Sequence, residues 1–445
     1  MQQVNLAIIG GGTVGGGVYK AILENGPLMG CRLGTNLCIT RVVVRDPKKL
    51  RNVVIPPHLL GSSWEEAVND PGVDLVVELM GGTSTARLVI LAALKHGKPV
   101  ITANKALLSQ HGEELFAAAK KYGTNLYYEA SVAGGIPIIK VLRESLVGNR
   151  ITRIYGIVNG TCNYILTRMK NEGADFQQVL TDAQELGYAE AEPSLDVDGH
   201  DAAHKIGILA SLAHGFWVQP KSIPTEGIRS ITKLDIQFSA QLGYTIKLLG
   251  IVKKTEGTVS KRGQKKKDCK QIQVSVYPVL IPNGHVLASV NDVFNAVYIR
   301  GDVVGDTLYY GRGAGQDATA SAVLSDIADA ALDLKWGSRN RVPAFVAHSC
   351  DGAVQPLDEV ISKYYVRLSV EDRPGTLAKI AAILAGAKIG ISSVIQPEGH
   401  QGDSVPLILM IHDASNAAMK KALGKVGRLS VVKAKPVMIR VENFD

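Results

Sequence analysis

Six charged side chains fall within sixteen residues of this 445-residue chain: Glu190, Glu192, Asp196, Asp198, Asp201 and Lys205. Glycine and alanine are interleaved with them. Asp201 and Lys205 stand four apart on a predicted helix, so they share a face. Carboxylates beside a lysine are what an amino acid's ammonium and a reacting carbonyl would require. The same pattern also describes a solvated loop with one i,i+4 salt bridge, and the residues alone leave both readings open. His200 and His204 are four apart as well, but Asp201 stands where a zinc hydrolase needs glutamate, so His-Glu-x-x-His is absent. A second lysine, Lys105, follows Thr102-Ala103-Asn104 just past the end of a predicted strand, where open α/β sheets bind ligands. Taken alone it reads more readily as an exposed lysine capping a loop.

The chain opens on Gly10-x-Gly12-x-x-Gly15, between a short apolar strand (Val4 to Ile9) and a helical stretch from Val14 to about Leu23. In a dinucleotide fingerprint one glycine permits the tight turn, the next lets the backbone approach a pyrophosphate, and the third allows close helix–strand packing. The helix start at Thr13 and Val14 would then offer free N–H groups to the phosphates. A second strand ending at Val44 is followed by Arg45-Asp46. Asp46 would accept from a free ribose 2′-OH, whereas Arg45 favours a 2′-phosphate. NADP is the expected cofactor, with NAD as a poorer substitute.

Strands at Asp74–Met80 and Pro99–Thr102 alternate with helices at Ala86–Lys95 and Ala106–Lys121, which predicts a right-handed, doubly wound parallel sheet of Rossmann type. Beyond Gly135 strands and helices mix, and a helix from about Asp317 to Ala331 is expected to return to the first domain. The last segment reads strand (Tyr365–Val370), helix (Thr376–Gly386), strand (Ile391–Gln396), strand (Val405–His412), helix (Ala414–Val426), strand (Leu429–Val441). That βαββαβ order is ferredoxin-like. The expected fold is α/β with three parts: 1–135 plus about 305–345 for the dinucleotide, 136–304 for substrate and dimerisation, and 360–445 as a regulatory unit.

Composition excludes several classes. Apolar residues are 46%, charged residues 20% and aromatics 5%, with 46 glycines, which is globular rather than disordered or fibrous. No apolar run is long enough to cross a bilayer, and Met1-Gln2-Gln3-Val4-Asn5 does not read as a secretory signal. Five cysteines without a Cys-x-x-Cys pair suit a reducing cytoplasm. Most of the net charge of +8 sits between Lys253 and Lys270. Lacking aromatics for base stacking, that run is expected to be a solvated hairpin loop and not a nucleic-acid site.

Several segments together carry a resemblance. The glycine-rich start, Ala103-Asn104-Lys105, Tyr128-Glu129-Ala130-Ser131-Val132-Ala133-Gly134-Gly135-Ile136-Pro137, Asn159-Gly160-Thr161-Cys162-Asn163-Tyr164-Ile165, and Asp196-Val197-Asp198-Gly199-His200-Asp201-Ala202-Ala203-His204-Lys205 resemble homoserine dehydrogenase, in order, over about residues 4–340. Asp372-Arg373-Pro374-Gly375-Thr376-Leu377, after a strand, resembles the ACT regulatory domain, an arrangement similar to the monofunctional bacterial enzyme. The resemblance implies NAD(P)-dependent interconversion of L-homoserine and L-aspartate 4-semialdehyde. Lys205 would be the general acid/base, Lys105 would hold the reacting oxygen and cofactor, and Asp201 would support the hydroxyl–lysine contact. Glu190 and Asp196, with Thr161, would bind substrate. Gly10, Gly12, Thr13, Val14, Gly15, Arg45 and Gly313 would bind cofactor. Glu129, Val132, Gly134 and Ile136 match a loop that takes a monovalent cation such as Na+. The resemblance further implies L-threonine as effector and a homodimer or homotetramer. The rival readings are another NADP-dependent amino acid dehydrogenase and a non-catalytic NADP- and amino-acid-sensing regulator. Hydride addition to an aldehyde puts negative charge on oxygen, which an ammonium stabilises and protonates. In the reverse direction the lysine must be neutral, so homoserine oxidation is expected to work best at alkaline pH.

Overall fold

The structure, a computed structural model, describes residues 2–255, 271–338, 341–349, 352–397 and 404–444. The chain begins with β1 (Gln2–Ile9), α1 (Thr13–Leu33), β2 (Thr35–Val43), β3 (Leu60–Gly61), α2 (Trp64–Asn69), β4 (Leu75–Glu78), α3 (Ser84–Lys95), β5 (Val100–Thr102), α4 (Lys105–Lys121) and β6 (Leu126–Tyr127). It continues through α5 (Ile138–Lys140), β7 (Ile151–Ile157), α6 (Gly160–Glu172), α7 (Phe176–Glu185), α8 (Ser194–Val197), α9 (His200–His214) and α10 (Lys233–Gln241). Next come β8 (Tyr244–Lys254), β9 (Gln271–Pro282), β10 (Phe294–Gly301), β11 (Gly305–Arg312), α11 (Gln316–Trp336) and β12 (Ala353–Val354). It ends with β13 (Ile361–Val370), α12 (Thr376–Gly386), β14 (Ile391–Ile395), β15 (Val405–Ser415), α13 (Asn416–Val426) and β16 (Val437–Val441). Two compact units result, Met1–Ile154 with His204–Ser222 and Asn295–Gly352, and Tyr155–Ala203 with Ile223–Phe294 and Ala353–Asp445.

The first unit is built on a six-stranded sheet in the order β3-β2-β1-β4-β5-β6, whose neighbours run parallel. Helices cover a parallel sheet on both faces, so its strands read as unbroken apolar runs such as Leu75-Val76-Val77. Leu6, Ile8, Leu75, Val77 and Ile101 share one core with Val18 and Ile22 of α1 and with Val323 and Ile327 of α11. The two helices approach closely at Gly17, where a Cβ would fall 2.6 Å from Gln316 Cγ. The helix predicted to stop near Leu23 runs on to Leu33, through Pro27. Proline costs a helix one N–H and a steric clash. The helix nevertheless continues past it and ends at Gly34, left-handed at φ 61°, whose N–H donates to Gly30 O.

In the second unit β8, β9, β16, β13, β15 and β14 lie side by side in that order. β8 and β9 pair antiparallel from Tyr244↔Pro282 to Lys254↔Ile272. The basic run joining them, apart from its first residues, lies outside the described residues. The last six elements follow the βαββαβ order, with strands arranged β16-β13-β15-β14. Ile380 and Leu384 of α12 and Met419 and Val426 of α13 seal a core over that sheet with Val366, Leu368 and Leu409. The final strand is shorter than the expected Leu429–Val441. Pro436 has no N–H to give a ladder, and Leu429 and Val432 close turns instead, so only Val437–Val441 pairs regularly. Among the described residues no helix is long and apolar enough to cross a membrane.

Candidate active site

Four neighbouring parallel strands deliver their C-terminal ends to one cleft of about 370 Å³. Thr13 and Val14 enter it after β1, Leu79 and Met80 after β4, Ala103 and Lys105 after β5, and Ala130 and Ser131 after β6. Gly134, Lys205, Gly313 and Gln316 complete the wall. The crevice lies where the strand order reverses between β1 and β4, the place at which open α/β sheets take ligands.

The glycine turn divides its work among three residues. Gly10 has φ +114°, and a Cβ there would meet Leu79 O at 2.5 Å. A Cβ on Gly15 would fall 1.9 Å from Gly10 O, so α1 can leave the turn this closely only with glycine at that position. Gly12 is the N-cap of α1, offers no capping side chain and has nothing within 4 Å of its Cβ position. The first amides of α1 thus have no side-chain acceptor and suit a pyrophosphate. Beyond β2, Arg45 is exposed, whereas Asp46 Oδ1 accepts from Lys48 N (2.8 Å) and closes its own turn.

Lys105 is the first residue of α4, half-buried, and Lys205 lies on α9 with 7% exposure. The cleft brings these two lysines, a hundred residues apart, to one wall. Lys105 is placed by a chain of hydrogen bonds that the sequence reading missed. Buried Glu78 accepts from Met80 N (2.7 Å) through Oε1 and from the Thr102 hydroxyl (2.6 Å) through Oε2. Thr102 Oγ1 accepts from Asn104 N (3.0 Å), and Asn104 caps α4 through Leu107 N (3.1 Å) while its amide donates to Gly82 O (2.7 Å). The visible signal was a lone carboxylate in an otherwise apolar strand.

Burial raises the Glu78 pKa from 4.5 to about 7. The folded chain therefore holds this proton where the unfolded chain has lost it, and stability falls as pH rises through that window. Glu78→Gln is expected to gain stability over the parent between pH 5 and pH 8, by up to about 3 kcal/mol. Urea unfolding at both pH values checks this, and identical pH slopes would rule Glu78 out as the source.

Gly134, at φ +37°, lets residues 133–134 pass against the Gly313 loop, where a Cβ would meet Gly313 O at 2.7 Å. Gly313 in turn lies on buried Asn295, whose Oδ1 would be 1.6 Å from a Cβ at 313. Asn295 also escaped the sequence reading, and nothing in its neighbourhood marked it. Buried Glu129 accepts from Ile139 N (2.9 Å) and Lys140 N (2.8 Å), and burial lifts its pKa to about 7. Ile136 O accepts from Ile138 N (2.8 Å). A second buried carboxylate, Asp326, accepts from Glu129 N (2.8 Å) at the same turn. Among the described residues no three His, Cys, Asp or Glu side chains gather as a metal cluster.

The carboxylates of the second unit are organised by Asn159. Its Oδ1 caps α6 through Cys162 N (2.8 Å), and its Nδ2 donates to both Asp196 Oδ1 (2.7 Å) and Asp201 Oδ2 (2.9 Å). The Thr161 hydroxyl donates to Tyr188 O (2.7 Å) and lies 3.4 Å from Asp196 Oδ2. Asp201 and Asp196 are thus brought together, one buried and one half-buried, while Glu190 is exposed. Two other acidic residues serve the local structure, Glu192 on Ser194 N and Asp198 in a two-point pair with Arg229 (2.6 and 3.3 Å).

A dinucleotide turn opening on two lysines at the switch point of a parallel sheet defines a nicotinamide-dependent oxidoreductase. The homoserine dehydrogenase family profile matches residues 137–328, and the profile of that family's NAD-binding domain matches residues 10–129. The chain belongs to the homoserine dehydrogenase family, oxidoreductases that act on a CH–OH group. It is 41% identical to the homoserine dehydrogenase of Pseudomonas aeruginosa, covering 100% of both chains. A crystal structure of a homoserine dehydrogenase from Thiobacillus denitrificans superposes with a TM-score of 0.90 at 40% identity, covering 100% of this chain and 99% of that one. A hyperthermophilic archaeal homoserine dehydrogenase, solved in complex with NADPH, matches 75% of this chain and 98% of its own with a TM-score of 0.60 at 27% identity.

Proposed function

We propose that the chain catalyses the reversible reduction of L-aspartate 4-semialdehyde to L-homoserine with NADPH, NADH being the poorer donor. The observation that carries this reading is the placing of Lys105 and Lys205 in one cleft with Thr13 and Val14, which follow the glycine turn, and Gly313. When bound, the nicotinamide supplies or takes the hydride. Gly10, Gly12, Thr13, Val14, Gly15 and Gly313 would hold the dinucleotide, and Arg45 would take a 2′-phosphate, since Asp46 is engaged in its own turn. As carbonyl becomes alkoxide, the Lys205 ammonium stabilises the charge and gives up the proton, and in oxidation neutral Lys205 removes it. Lys105 helps to hold the same oxygen and the cofactor. Asp201 orients the hydroxyl–lysine contact, Glu190 and Asp196 take the substrate's amino end, and Thr161 also binds substrate. A monovalent cation such as Na+ would sit at Glu129, Val132, Gly134 and Ile136, stiffening the turn behind Gly134.

The reading extends to regulation and setting. The C-terminal βαββαβ segment acts as an ACT domain for L-threonine, whose carboxylate would go to the start of α12. Its N-cap, Gly375, is left-handed at φ 85° and makes no side-chain cap. We place the enzyme in the cytoplasm, as a homodimer or homotetramer, in the synthesis of threonine, methionine and isoleucine. Free Cys31 and Cys38 suit a reducing compartment.

The test is nicotinamide reduction by the purified protein at alkaline pH with L-homoserine, using NADP or NAD, with and without L-threonine. Homoserine-dependent reduction, faster with NADP and slowed by threonine, is the expected result. Protein that binds NADP yet reduces neither cofactor would be a sensor instead.

A further inference from the structure

Arg440 of β16 is the largest fully buried side chain among the described residues, and the proposed reaction leaves it without a role. Its guanidinium forms a two-point pair with Glu226 (2.8 and 3.0 Å), donates to Asn416 Oδ1 (2.7 Å) and stacks over the Tyr277 ring at 4.1 Å. Glu226 begins a short segment on which the acidic loop rests. Its N–H donates to Val276 O (2.8 Å), which ties the segment to β9. One residue on, Gly227 lies so close to the loop that a Cβ would meet Val197 O at 2.2 Å and Asp198 Cα at 2.5 Å. Ile228 N then donates to Val197 O (2.8 Å), and Arg229 pairs with Asp198. Gly199 is seated from the same side, against Thr225 and Val276. Residues 197–199 connect Asp196 to Asp201, the two carboxylates that Asn159 holds.

We infer that the Glu226–Arg440 pair positions the acidic loop, so that the C-terminal βαββαβ segment sets the enzyme's affinity for the charged end of its amino acid substrate. The inference rests on the reading that Asp196 receives the substrate's amino end. Two-point pairing fixes direction as well as distance. Since Gly227 offers no side chain to yield, a shift of residue 226 passes directly to the backbone at 197 and 198. Glu226 and Arg440 are positioning residues, and they act on substrate binding while the cofactor cleft is left as it is.

Steady-state kinetics of three variants tests this. Glu226→Gln weakens the pair, Glu226→Gln/Arg440→Met removes it without stranding a buried charge, and Arg440→Lys keeps charge and burial but not the fork. In each variant that folds, by circular dichroism, KM for homoserine is expected to rise about tenfold, with kcat and the KM for NADP within about twofold of the parent. An unchanged homoserine KM overturns the inference, and so do parallel rises in both KM values, which mark general loosening. Asp196→Asn in the same series separates the two levels. If it raises the homoserine KM while the pair variants do not, the inference fails and the reading of the loop stands. If it leaves that KM unchanged, both fall.

Discussion

Lys205→Ala is expected to lower turnover by about 10²- to 10⁴-fold with little change in NADPH affinity. The side chain comes from α9, is 7% exposed and reaches the cleft that holds the glycine turn. Hydride transfer to an aldehyde cannot finish without a proton for the oxygen. In the water-poor wall of a cleft, a positioned ammonium is the donor to hand. Alanine removes both the charge and the proton but leaves Thr13, Val14, Leu79 and Met80 of the cleft in place. Lys205→Arg would not rescue turnover, because a guanidinium keeps its proton throughout the working pH range. Rates of homoserine oxidation and a fluorescence titration with NADPH measure the two quantities on one sample. Unchanged turnover in Lys205→Ala would discard the acid/base role and leave the fold intact. Weakened NADPH binding would show that Lys205 serves the cofactor more than the substrate.

The parallel sheet was legible from sequence because its strands are short apolar runs punctuated by glycine, as at Val4–Ile9 and Asp74–Met80, and because βα repeats admit few arrangements. The βαββαβ order was legible for the same reason, down to the limits of α12 at Thr376–Gly386. What escaped had no periodic signature. β11 buries none of its residues, so no hydrophobic alternation announces it. α10 declares itself only through the capping box of Thr232 and Asp235, a two-residue signal that is easy to pass over. In the site, residue type and spacing left Lys105, Lys205, Asp196 and Asp201 open to other readings, and the family resemblance singled them out. The residues that orient them, Glu78 and Asn159, are separated from their partners by 24 or more positions. Such long-range hydrogen bonds are set by topology, and a single chain read from end to end does not display them.

The same distinction between local and tertiary causes predicts opposite behaviour for two glycines of one turn. Gly15→Ala is expected to weaken NADP binding more than tenfold and to destabilise the protein by about 1–3 kcal/mol or more. Its Cβ would lie 1.9 Å from Gly10 O, backbone against side chain, with no torsion able to relieve the overlap. Gly10, at φ +114° and packed on Leu79 O, has no room to retreat. The start of α1 must therefore move off β1, carrying Thr13 and Val14 out of the cleft wall. Gly12→Ala meets no protein atom within 4 Å and sits at φ −80°, so the fold should accept it. Its methyl group projects into open space, where the proposed function places the pyrophosphate. Melting midpoints without cofactor, together with NADPH titrations, separate the two cases. Gly15→Ala should lose on both measurements and Gly12→Ala on the titration alone. If both variants melt with the parent, the close helix–strand contact at residue 15 is not a stabilising feature. If Gly12→Ala binds NADPH normally, the pyrophosphate does not pass over that residue.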